Sequence, residues 1–74
     1  MEAYNLYLKG KYFFNLTDGN AYWKSIKYFK QSIDKDSEFA LGYAALADAY
    51  IIYDDSMKVV KALALKAITL DSTI

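Results

Sequence analysis

Apolar residues return along this chain at steps of three and four, the spacing of a helix face rather than the alternation of a strand. Three polar breaks interrupt the pattern: Leu16-Thr17-Asp18-Gly19-Asn20, Asp34-Lys35-Asp36-Ser37 and Tyr53-Asp54-Asp55-Ser56. They leave four segments of helical length. The first sets Leu6, Gly10, Phe13 and Phe14 on one side, with Ala3 and Tyr7 adjoining. The second, over about 21–35, sets Tyr22, Ile26, Phe29 and Ile33 in register. The third, over about 38–53, does so with Tyr43, Leu46, Ala47 and Tyr50. The fourth, over about 57–70, uses Val60, Leu63, Ala64, Ala67 and Ile68. Start signals agree, since Asp36 or Ser37 can cap the third helix and Asp55 or Ser56 the fourth. The pattern therefore predicts an all-α chain of four antiparallel helices.

The two halves repeat. Lys35-Asp36-Ser37 returns as Leu70-Asp71-Ser72, thirty-five residues on, and the same shift carries Ser25 to Val60, Phe29 to Ala64, Ser32 to Ala67 and Ile33 to Ile68. In the earlier helix of each half the shift is thirty-seven, taking Ala3 to Ala40, Leu6 to Tyr43, Gly10 to Ala47 and Phe13 to Tyr50. A first inter-helix loop two residues longer accounts for the difference. One helix-turn-helix unit over 1–37 is thus followed by another over 38–74.

Composition narrows the function classes. At 55% hydrophobic the chain has the apolar surface that a disordered segment lacks. An aromatic share of 18% calls for interleaved helices or for an aromatic surface that meets a partner. Nine Lys balance nine acidic residues and Arg is absent, so neither a global field nor a bidentate phosphate reader favours nucleic acid. With neither Cys nor His, thiolate zinc sites, cysteine nucleophiles and imidazole bases are excluded. The carboxylate groups Asp34/Asp36/Glu38 and Asp54/Asp55 lie at helix boundaries, where capping explains them, and neither has the alternating ligands of a calcium loop. Hence no enzyme, metal or cofactor is expected. Asn15-Leu16-Thr17 reads as a helix end followed by a capping Thr rather than a glycosylation site. Lys24, Lys27 and Lys30 read as a solvated helix edge. With no basic, apolar N-terminal stretch and no run of membrane-spanning length, a cytoplasmic protein is expected, without membrane contact.

A period near 34 with two helices per unit resembles the tetratricopeptide repeat. Tyr43-Ala44-Ala45-Leu46-Ala47-Asp48-Ala49-Tyr50 looks like that family's first-helix motif, with Ala47 in place of the glycine where helices cross. Ser25, Phe29, Ser32 and Ser37, then Val60, Ala64, Ala67 and Ser72, follow the second-helix pattern, with Ser in place of the terminal Pro. Lys9 departs from the motif's Leu. The wording of Tyr7 to Tyr12 and of Tyr28 to Ile33 is similar to repeats of bacterial signalling chains that also carry cyclase or winged-helix domains.

The resemblance implies a protein-binding scaffold whose first helices line a concave groove. Carried over position by position, it assigns Tyr4, Tyr7, Lys11, Phe14 and Asn15 from the first unit and Leu41, Ala44, Asp48, Ile51 and Ile52 from the second. Phe14, Leu41, Ile51 and Ile52 have an alternative use in packing on a neighbouring helix. A clamp for a C-terminal carboxylate is not expected, because Ala45 stands where the clamp has Asn. Repeat arrays close with a polar capping helix, and the sequence ends where a third unit would begin. Val59, Val60, Leu63, Ala64, Ala67 and Ile74 are therefore expected at an uncovered flank. Either a longer array covers that flank or the chain self-associates through it, as a homodimer or by exchanging a helix pair.

Overall fold

A computed structural model describes residues 2–16, 19–53 and 57–71. These form four α-helices: α1 (Glu2–Phe14), α2 (Gly19–Lys35), α3 (Ala40–Tyr53) and α4 (Met57–Leu70). The all-α expectation holds. Two starts differ from the sequence reading. Helix α2 begins at Gly19 inside the supposed loop, and α3 begins at Ala40 rather than near 38.

The later start of α3 has a local cause. Asp36 accepts the Glu38 amide on its carboxylate at 3.0 Å, and its carbonyl accepts the Phe39 amide at 3.1 Å. The carboxylate thus holds a turn that leads into the helix instead of capping the helix itself. The Tyr43 hydroxyl donates to the Ser37 carbonyl at 2.9 Å and ties α3 back to that turn. At the end of α1, the Asn15 amide still reaches the Lys11 carbonyl while the Leu16 amide shortens its step to Phe13. That tightening is how helices commonly finish. Thr17, Asp55, Ser56 and Ser72 lie outside the described residues.

Helix α1 packs most extensively on α2 and α3 on α4, with α2 against α3 next and α1 against α3 least. Contact order of this kind stacks two helix pairs side by side. Glu2, at the start of α1, pairs with Lys35, at the end of α2, at 3.3 Å, so the two helices run antiparallel. Both side chains are more than half exposed, and a pair so solvated adds little stability.

The core is centred on Phe29, which is wholly buried, with Ile26 from α2 and Ala45, Leu46 and Ala49 from α3. Tyr7, Phe14, Ile33, Tyr50 and Leu63 pack against this cluster. Close approach depends on small residues. Gly10 of α1 lies against the Phe29 ring, and Gly42 of α3 lies against Ile33 and Ser32 of α2. Ser25 and Ser32 are buried, yet each hydroxyl donates back along its own helix, to Tyr22 and Phe29, at 2.7 Å. Their polarity is satisfied without loosening the interface.

Candidate protein-binding site

The ten groove positions assigned from the sequence fall into three settings. Tyr4 and Tyr7 stack with ring centroids 6.0 Å apart, and both meet Phe39 edge-on, at 6.5 and 5.8 Å. Tyr7 reaches inward as well, to Phe29 at 6.1 Å, so one ring joins the outer aromatic group to the core. Burial of its phenol, and then the nearby Tyr4 and Asp48, hold the Tyr7 pKa above the ordinary tyrosine value. Helix α3, which carries Asp48, also packs directly against α1, which carries Tyr7. The first helices of both units therefore contribute to one face.

Phe14 takes the packing role instead. It sits against the core cluster, with Tyr22 at 5.9 Å and Phe29 at 6.3 Å. Lys11 lies half-buried beside it, its ammonium 5.8 Å from the Phe14 ring centre, a cation–π arrangement. Asn15 is exposed at the helix end. Leu41 and Ile52 are exposed on α3, so neither is used up in packing on a neighbour.

Ala44, Asp48 and Ile51 belong to a third setting. Together with Ala47 of α3 and Val60, Ala64, Ala67 and Ile68 of α4, they line a groove of about 220 Å³. Of the residues expected at the uncovered flank, Val60, Ala64 and Ala67 line this groove. Val59 is exposed outside its lining, Leu63 turns inward to the core cluster, and Ile74 lies outside the described residues. Sequence reasoning did not place Ile68 or Ala47 there, nor Phe39 in the aromatic group. The repeat shifts contain the signal for the first two, since they carry Ile33 to Ile68 and Gly10 to Ala47.

The polar groups of these ten positions are the Asp48 carboxylate, the Tyr4 and Tyr7 phenols, the Lys11 ammonium and the Asn15 carboxamide, set among apolar side chains, an arrangement suited to orienting an apolar segment. Among the described residues no group of three or more acidic side chains stands close enough together to hold a metal ion, and no helix is long and apolar enough to cross a membrane. Comparison with family models, with curated proteins and with solved structures finds no match for this chain.

Proposed function

We propose that this chain is a cytoplasmic protein-binding module of tetratricopeptide type, which presents the joined face of α1 and α3 to a peptide or protein segment. One observation carries the reading: Tyr7 stacks on Tyr4 of its own helix, meets Phe39 edge-on and stays half-buried on α1, which packs against α3. Tyr and its neighbours offer large, stiff contact area at small entropic cost, and the Asp48 carboxylate and Lys11 ammonium supply orientation at the edges. The pattern fits an amphipathic helix or an apolar extended segment that carries one basic group.

A displayed library of helical peptides tests this. Selected binders are expected to shift the backbone amide resonances of Tyr4, Tyr7, Leu41, Ala44 and Asp48, and Tyr7→Ala or Asp48→Ala should weaken them about tenfold. Binders that perturb only α2, or that ignore both substitutions, would remove this face from consideration.

A further inference from the structure

Zero net charge conceals a separation of the two signs. Seven of the nine lysines stand on α2 and α4, where the one acidic residue is Asp34, so the second helices of the two units carry a net charge of +6. Helices α1 and α3 together hold two lysines and two acids, Glu2 and Asp48, and the remaining acids fall between or after the helices in sequence.

Geometry gathers this charge on one side. Tyr43 and Tyr50 stand seven residues apart, on one face of α3. Lys30 of α2 lies 5.8 Å over the Tyr50 ring, and Lys66 of α4 lies 5.9 Å over the Tyr43 ring. Helices α2 and α4 therefore flank the same face of α3. Among the described residues they do not reach one another, whereas α1 and α3 do, so the stack spreads on the second-helix side. Lysines laid over the two tyrosines cover the space between, which leaves an outward-curved face rather than a cleft. On α2, Trp23, Lys27 and Lys30 recur at steps of four and three, all exposed, away from the buried Ser25 and Ser32. On α4, Lys58 and Leu65 stand seven apart, both exposed, away from the buried Val60 and Ala67. Further helix pairs would stack on α1 or on the α3/α4 groove, and would leave this face open.

Apolar side chains lie among the lysines, with Leu65 65%, Trp23 59% and Val59 43% exposed. We infer that this face rests on the surface of an anionic phospholipid bilayer, with its lysines among the headgroups and Trp23 and Leu65 at the acyl boundary. Negative lipid attracts the lysines, and their four-carbon stems lie along apolar surface while the ammonium stays in the polar layer. Exposed apolar groups set a bilayer apart from other polyanions. The phosphates of a nucleic acid offer Leu65 and Val59 nothing, and lysine lacks the planar fork that reads phosphate and base edges. An acidic peptide needs a groove, and this face curves outward. The expectation of no membrane contact concerned leader and spanning segments, and a contact in the plane of the interface needs neither. It also leaves the α1/α3 face, on the opposite side, to the partner proposed for it.

Trp23 is the chain's one tryptophan, so its fluorescence reports the contact directly. The full chain should co-sediment with phosphatidylcholine vesicles containing about 30% phosphatidylserine, with Trp23 emission shifted to the blue and quenched by brominated lipid. Vesicles of phosphatidylcholine alone should bind about tenfold less, and raising salt from about 20 to about 200 mM should weaken the anionic contact by a similar factor. Lys27→Gln together with Lys58→Gln should lower partition about 25-fold, at about fivefold for each lysine lost. Leu65→Ser should lower it about fivefold while leaving binding to an anionic polymer such as heparin unchanged. All of these positions are exposed, and unchanged helical circular dichroism would show that each variant still folds. No partition into anionic vesicles at low salt overturns the inference, as does equal partition into both kinds of vesicle. So does a Trp23 spectrum that stays the same in the bound state. A Leu65→Ser variant that binds anionic vesicles like the wild type overturns it too, because attraction by charge alone would then suit any polyanion, nucleic acid included. Tyr7→Ala should leave vesicle binding intact while abolishing peptide capture, so the two faces can fail separately.

Discussion

A β-carbon placed on Gly10 would lie 2.4 Å from Cε1 of Phe29, so α1 and α2 touch where one residue has no side chain and the other has a ring with no exposure at all. Helix propensity alone would favour Ala at position 10 by about 1 kcal/mol. The ring cannot yield, because it is packed on both sides by α1 and α3. Overpacking of a filled core costs about 1–3 kcal/mol, and a contact this short belongs at the upper end. Gly10→Ala is therefore expected to destabilise the fold by about 1–2 kcal/mol net in urea unfolding. Adding Phe29→Leu should recover part of the loss relative to Phe29→Leu alone, a coupling that a double-mutant cycle measures. Simple additivity of the two would disprove the contact.

Most of this architecture was legible because each pair of helices leaves its mark on residue spacing. The steps of Tyr22, Ile26, Phe29 and Ile33 gave the inward side of α2, and Ile26 and Phe29 are indeed core. Helix α3 was read less fully. Tyr43, Leu46, Ala47 and Tyr50 suggested a single stripe, yet Gly42, Ala45 and Ala49 are also buried because α1, α2 and α4 all touch this helix. Small residues carry little hydrophobic signal, so a helix buried on several sides looks one-sided in sequence. The candidate site was legible as a set of positions but not as a surface. Phe14 and Ile51 occupy equivalent repeat positions, and only packing sends one into the core and leaves the other on a rim.

Titration of Tyr7 offers a check on the joined face that does not need a partner. Its folded pKa lies above the unfolded value, for which 10.0 is the ordinary figure. Below that pH both states keep the proton, and the stabilising contribution is whole. As pH rises past it the unfolded chain ionises first, so stability falls until the folded phenol ionises too. Carbon-13 resonances of ring-labelled tyrosine should show Tyr7 titrating above 10.0. Asp48→Asn should lower that value without bringing it fully back, since burial and Tyr4 remain. A Tyr7 titration indifferent to Asp48→Asn would separate the two helices' contributions and weaken the shared face.

The turn before α3 makes a smaller, local prediction. Asp36→Ala removes the carboxylate that takes the Glu38 amide while leaving the backbone bond from Phe39 in place. Capping and turn carboxylates of this kind contribute about 0.5–2 kcal/mol, and a partly exposed one belongs at the lower end. A loss of about 0.5–1 kcal/mol is expected in chemical denaturation, and Asp36→Asn should restore most of it, because an amide oxygen accepts the same bond. Equal losses for Ala and Asn would mean that charge, not the hydrogen bond, matters at this turn.

Phe29 and Ala64 occupy the same place in the two units, so they permit a paired test of what covers each surface. Phe29→Ala empties the centre of the buried cluster that joins α2 to α3. It is expected to cost about 3–5 kcal/mol. In a domain of this size that approaches the whole stability, so the variant should be largely unfolded at 25 °C. Ala64→Phe places the missing ring over an open groove, where no helix of the same chain is displaced. Its effect on unfolding should stay within about 0.5 kcal/mol, the range of surface substitutions. A strongly destabilising Ala64→Phe would mean that α3 and α4 close over the groove in solution, and that the second unit does not leave open the surface that α3 covers in the first.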